Sequence, residues 1–323
     1  MSGGPMLDVQ DVRVYYGGQR HPVRAVDGVR FTLNHGEALG LVGESGCGKS
    51  TLGRALLRLE PVRSGRVLLD GVDMVNLRGT KLKAFRRHAQ MIFQDPYGSL
   101  NPRHSIGSML REAVAVHGKV DRIHREQRVA ELLRSVGLDP AYTRRYPHEF
   151  SGGQRQRLGL ARALAVEPEL IIADEPVSAL DVSVQVQILN LLKDLQQQLN
   201  LALLFIAHDL AVVRYVCHRI LVMYLGKLVE SAPTATLFAH PRHPYTEALL
   251  SAVPDVAKGL AARTTGLNRI VLRGDMPSPA VTIPGCPFHP RCHRVREKCR
   301  TEVPALRAID ADHCAACHFA EEM

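Results

Sequence analysis

The spacing of apolar residues along the chain switches between two periods. Leu7 to Val14 reads LDVQDVRV, apolar and polar largely in turn, which predicts a half-buried strand. Val29-Arg30-Phe31-Thr32-Leu33 alternates too and stops at the turn residues Asn34-His35-Gly36. Ala38-Leu39-Gly40-Leu41-Val42 holds no polar residue and predicts a fully buried strand, followed by a Gly-rich stretch and a helix-period run from Lys49 to Leu59. From about Asp95 to Ala165 the pattern is mostly helical, most clearly over Arg125 to Val136. Leu170 to Ala173 and Leu203 to Ala207 are again short and apolar, with an amphipathic helix over Ser183 to Leu199 between them. Short buried strands separated by helices predict an α/β core with a parallel sheet, and the helical block reads as a subdomain inserted into it. After Pro254 the composition shifts towards Gly, Ala and Pro and then cysteine, so two domains are expected, 1–254 and a small Cys-rich region, 255–323.

Composition narrows this only a little. With 323 residues, 46% hydrophobic and 23% charged, the chain has room for a large globular domain and a smaller one. The start, MSGGPMLDVQDVRV, lacks a basic stretch followed by an apolar one, and Leu201 to Ala207 is far short of the roughly 18 to 20 apolar residues that span a bilayer. A cytoplasmic setting is therefore expected, in which clustered cysteines hold metal or do redox chemistry more often than they form disulfides. The net charge of +9 suits an anionic partner, but the arginines are spread along the chain and single out none.

Candidate chemistry changes the picture more. Gly43-Glu44-Ser45-Gly46-Cys47-Gly48-Lys49-Ser50 fits G-x-x-x-x-G-K-[ST], between a predicted strand and a predicted helix. Its glycines let backbone N–H groups turn towards phosphate, Lys49 neutralises β- and γ-phosphate charge, and the Ser50 hydroxyl is a Mg²⁺ ligand. The strand Leu170 to Ala173 ends in Asp174-Glu175, one carboxylate for the metal shell and one to polarise an attacking water. Ser151-Gly152-Gly153-Gln154 opens a helix and offers a second anion-binding N-terminus, or simply a Ser N-cap.

In that order these motifs resemble the ATP-binding cassette ATPases over about residues 6 to 250. The resemblance implies a P-loop core with an antiparallel β subdomain and an inserted helical subdomain. It also implies an ATP site made of Gly43, Ser45, Gly46, Cys47, Gly48, Lys49, Ser50 and Thr51, with Tyr16 stacking on adenine unless the adjacent Tyr15 does so. Gln94, in Ile92-Phe93-Gln94-Asp95-Pro96, is similar to the glutamine that joins Ser50 and Asp174 around Mg²⁺. Glu175 and His208 would be catalytic alongside Gln94. Ser151, Gly153 and Gln154 match the sequence that meets ATP across a head-to-tail dimer, and Asp181 matches the loop after the metal-binding strand. Cys47 reads as an inert small residue, since the loop uses backbone there.

Further strings sharpen the match: Ser99-Leu100-Asn101-Pro102-Arg103, His243-Pro244-Tyr245-Thr246 and Pro277-Ser278-Pro279 resemble the ATPases of bacterial dipeptide, oligopeptide and nickel importers. That implies a second ATPase subunit, two transmembrane permeases, an extracytoplasmic substrate-binding protein and a peripheral place on the cytoplasmic face of the inner membrane. A soluble cassette ATPase acting on nucleic acid or ribosomes is the contrasting reading, but the chain has neither a second cassette nor a long coiled-coil insertion. A non-hydrolysing regulatory module is disfavoured by the presence of both Glu175 and His208. Between Cys286 and Cys317 lie five cysteines; their spacing is loose for zinc, which favours close pairs, and leaves an iron–sulfur cluster, zinc or free thiols open. The importer resemblance implies a [4Fe–4S] cluster on Cys286, Cys292, Cys299 and Cys317, with Cys314 at a variable position.

Overall fold

The computed structural model describes residues 4–18, 22–95, 98, 100–116, 121–253, 270–272 and 274–323. Its strands in chain order are β1 (Leu7–Tyr16), β2 (Val23–Leu33), β3 (Ala38–Val42), β4 (Ser64–Leu69), β5 (Val72–Asp73) and β6 (Ala89–Ile92). They continue with β7 (Leu170–Asp174), β8 (Ala202–Ala207), β9 (Arg219–Tyr224), β10 (Lys227–Pro233), β11 (Arg307–Asp310) and β12 (His313–Ala315). The chain divides into two compact units, each built from separate stretches: 1–6, 33–37 and 69–206 in one, 7–32, 38–68 and 207–323 in the other.

The second unit carries the P-loop. Strand β1 lies between β2 and β4 and buries alternate residues, as its apolar spacing predicts. Strand β3 is buried at all five positions and pairs in parallel with β9. Beyond β9 the order runs β10, β12, β11, and these three are antiparallel to their neighbours. A parallel-sheet core with a separate antiparallel β subdomain was the expectation. The sheet is mixed because the hairpin turn at Leu225-Gly226 sends the chain straight back along β9. The helix Lys49–Leu56 leaves the P-loop, ending three residues short of the apolar run that predicts it.

The first unit holds the parallel strands β6, β7 and β8. All residues of β7 and β8 are buried, which explains their unbroken apolar sequences. Its helices are Gly79–His88, Ile106–Ala115, Arg125–Ser135, Gly152–Leu164 and Val182–Gln198. Three of them fall inside the block expected to be helical. The boundary expected near Pro254 lies outside the described residues, as do Pro96 and Ser99 of two motifs; residues 270–323 group with the P-loop unit. No helix among the described residues is long and apolar enough to cross a membrane.

Candidate functional site

The P-loop leaves β3 at Gly43 and is shaped by close backbone approaches. A Cβ on Gly43 would sit 2.2 Å from the Met223 carbonyl oxygen, and one on Gly48 would sit 2.0 Å from that of Ala25. Gly48 adopts the left-handed backbone (φ 109°) and stands at the helix N-cap, a position that only glycine fills without strain. The Gly226 N–H donates to the Cys47 carbonyl at 2.9 Å and fixes the middle of the loop. Gly48 supplies no side-chain cap to this helix, the kind of helix start that suits an anion.

Lys49 is buried, and its Nζ donates to the carbonyl oxygens of Gly43 at 2.7 Å and Glu44 at 3.0 Å. An ammonium held on backbone carbonyls is well placed to exchange them for phosphate oxygens, which satisfy its charge better. Cys47 is buried beside it; burial pushes its thiol pKa up, and the charge of Lys49 only partly opposes this. A protonated, enclosed thiol fits the expectation of an inert small residue. Ser45 and Gly46 are exposed, and Ser50 and Thr51 are half-buried on the first turn.

The two tyrosines of β1 differ. The Tyr15 hydroxyl donates to Asp27 at 2.5 Å and the Arg63 guanidinium lies 5.0 Å over its ring. Tyr16 is 36% exposed, and its hydroxyl bonds Thr51 and Glu60, with burial the main cause of its raised pKa. Only Tyr16 keeps an exposed ring. His208, in the same unit, is exposed between β8 and the helix Leu210–Val216, whose N-cap is Asp209.

In the other unit, Asp174 is buried at the end of β7 and Glu175 follows it in the left-handed region (φ 46°). That conformation is strained for a residue with a side chain, and such strain collects where chemistry needs a fixed direction. The Glu175 N–H donates to the Ile206 carbonyl at 2.9 Å, which holds the twist. Gln94, exposed just past β6, donates through Nε2 to Glu175 Oε2 at 3.2 Å. The structure thus brings together the two side chains predicted to handle water and metal. The donors expected for Mg²⁺, a Ser hydroxyl, a Gln amide and an Asp carboxylate, are all oxygen, which suits that hard ion and not a soft metal.

Ser151 caps the helix Gly152–Leu164. Its Oγ accepts from the Gln154 N–H at 3.4 Å, while Gln154 Oε1 accepts from the Ser151 N–H at 3.1 Å. Gly153 is buried against Val184, 2.4 Å from where its Cβ would lie. Asp181 caps the next helix by accepting from the Val184 N–H at 3.0 Å, and its hydrogen bond from Ser183 holds its carboxyl pKa down.

The profile of the family described as "ABC transporter" matches residues 26–178, and that described as "Oligopeptide/dipeptide transporter, C-terminal region" matches residues 229–299. "Probable peptide ABC transporter ATP-binding protein y4tS" of Sinorhizobium fredii is 55% identical over 92% of this chain and 82% of its own length. "Oligopeptide transport ATP-binding protein AppF" of Bacillus subtilis is 50% identical over 97% of both chains. The chain belongs to the ATP-binding subunits of peptide ABC transporters. Hydrolysis of ATP coupled to transport is the activity of this family, and ATP with Mg²⁺ its chemistry, as the motif order predicts. Among solved structures, the dimeric cassette MJ0796 with bound ADP and Pi superposes with a TM-score of 0.63 at 28% identity, over 71% of this chain and 99% of that one.

One expectation is overturned. Among the described residues no group of three or more His, Cys, Asp or Glu side chains is placed to hold a metal ion, so the iron–sulfur assignment of Cys286, Cys292, Cys299 and Cys317 does not stand. These four thiols do line one cavity. Burial pushes the thiols of Cys286 and Cys292 up to about 11, so they stay protonated at neutral pH. Loose cysteine spacing revealed that these residues converge on one cavity, not that they are placed to hold a metal.

Sequence reasoning also missed partners of the P-loop itself. Tyr245, within His243-Pro244-Tyr245-Thr246, and Arg291, directly before Cys292, both bond Glu44.

Proposed function

We propose that this chain is the ATP-hydrolysing subunit of a peptide importer. The observation that carries this is full-length similarity to peptide-transport ATP-binding proteins in a chain whose P-loop is uncapped and holds a buried lysine. In this reading the N–H groups of Ser45, Gly46, Cys47 and Gly48 and the Lys49 ammonium bind the phosphates, with Thr51 beside them and Tyr16 under the adenine. Ser50, Gln94 and Asp174 would hold Mg²⁺, which would neutralise charge on the phosphates. Glu175, aimed by its backbone twist and by Gln94, takes the proton of the attacking water, and His208 contacts the γ-phosphate. Ser151, Gly153 and Gln154 serve the ATP of a second subunit, with Asp181 at the same junction. ATP closes the pair and hydrolysis opens it.

The helical block from Ile106 to Leu164 meets the permeases, and Gln94 links it to the metal. Two permeases, a second ATPase subunit and an extracytoplasmic binding protein complete the system on the cytoplasmic face of the inner membrane; nucleic acid has no part. The test is purification with the permeases, reconstitution in vesicles, and ATPase assays with the binding protein and candidate peptides. Peptide-stimulated hydrolysis is expected. Stimulation by nickel or another small solute alone would reject the peptide assignment.

A further inference from the structure

Glu44, the second residue of the P-loop, is tied at three points, and two of the ties come from parts of the chain that ATP chemistry leaves unused. Its carbonyl accepts from Lys49 Nζ at 3.0 Å and from the Cys47 N–H at 3.3 Å. Its N–H donates to the Tyr245 hydroxyl at 2.8 Å. Its carboxylate accepts from Arg291 Nη1 at both oxygens, 3.0 and 3.1 Å.

Both outer partners are held rigidly. Tyr245 is fully buried, its ring 4.8 Å from that of Tyr224 and 5.3 Å from that of Phe288. The Arg291 side chain is 7% exposed and sits on the one-turn helix His289–Arg291, immediately before Cys292. A charge-assisted pair so poorly exposed to water is screened little and fixes direction as well as distance.

The bond from Lys49 is temporary. For Lys49 to reach phosphate it must release the carbonyls of Gly43 and Glu44, and the loop then loses the ammonium that braces it. The Arg291 and Tyr245 bonds do not involve groups that phosphate needs, so they persist through that exchange. A loop already in its receiving shape binds without an ordering cost; a loose one must be ordered by the ligand.

We propose that Arg291 and Tyr245 are positioning residues that hold Glu44, and through it the P-loop, in the conformation that receives ATP. Through Arg291, the segment around Cys286 to Cys292 thereby sets nucleotide affinity without touching nucleotide. This rests on the reading of the P-loop as the ATP site.

The experiment is equilibrium ATP binding by the full-length chain, with the melting temperature recorded for every variant. Arg291→Met is expected to weaken ATP binding about tenfold, the worth of one charge-assisted bond. Glu44→Gln should do nearly the same, and the double variant should be no worse than either single one, because both remove one interaction. Arg291→Lys should recover part of the loss, since a point charge replaces only part of a fork. Tyr245→Phe, which removes a single hydroxyl, should weaken binding about threefold to tenfold. A purely architectural role would lower the melting temperature while the folded chain bound ATP as the wild type does. That result for Arg291→Met, or losses that multiply in the double variant, overturns the proposal. If Arg291→Met does not fold, wild-type affinity in both Arg291→Lys and Tyr245→Phe overturns it. Lys49→Ala separates the two readings: if it binds ATP normally, the P-loop assignment itself fails; if it alone loses binding, only the positioning role does.

Discussion

Two helices of this chain begin with Gly-rich sequences that look alike on paper and differ in space. The helix at Lys49 starts from a left-handed glycine with no side-chain cap, and a buried ammonium sits on the carbonyls in front of it. The helix at Gly152 starts from Ser151, which together with Gln154 closes its own first hydrogen bonds. An uncapped N-terminus with a cation is an anion site in its own right. A capped one has its Ser151 and Gln154 N–H groups engaged within the helix start, so fewer donors remain for an anion. The contrast fits the proposed division of labour, in which the first start binds nucleotide within the chain and the second serves the ATP of a second subunit.

The largest expected effect comes from breaking the first of these. Lys49→Ala should weaken ATP binding by about a hundredfold or more, measured by titration, because a desolvated charge contact to phosphate is lost. Next, Glu175→Gln should leave ATP affinity unchanged and cut turnover by about 10² to 10⁴ in the assembled transporter. Ser151→Ala sharpens the contrast. It should leave ATP binding by the isolated chain untouched, lower turnover of the assembled transporter about tenfold, and remove about 1 kcal/mol of helix stability seen by thermal melting. The smallest effect belongs to Cys47→Ser, for which ATP affinity should stay within about twofold, since backbone and not thiol meets phosphate.

The cysteine cavity is tested by pH. With their thiol pKa values raised to about 11, Cys286 and Cys292 bind protons through the whole neutral range. Alkylation of the native chain should be slow at pH 7 and accelerate as pH rises towards 11, because only the thiolate reacts. Fast alkylation of these two residues at pH 7, followed by peptide mapping, would contradict that environment.

What the sequence made readable was local. Strand β3, the P-loop and the helix at Lys49 lie within twenty residues, and their periodicity and glycines settle the geometry together. Strand β7 with Asp174 and Glu175 was equally plain, whereas the different surroundings of Tyr15 and Tyr16 emerge only in the fold, where Asp27 takes the hydroxyl of the first. The antiparallel extension of the sheet was not readable: β10 and β12 pair Glu230 with Ala315, and no short-range pattern announces that. Glu44 is likewise separated from Tyr245 by 201 positions and from Arg291 by 247, so its bracing emerges only once the chain is folded. The left-handed backbone of Glu175 is opposite to what its residue type prefers, and only the surrounding strands impose it.

The central claim, that this chain binds ATP with one set of residues and hydrolyses it with another, is tested most directly by Glu175→Gln in the purified transporter. ATP binding and phosphate release should be followed on the same sample. The account predicts wild-type affinity for ATP with phosphate release lost. Phosphate release at the wild-type rate would contradict it.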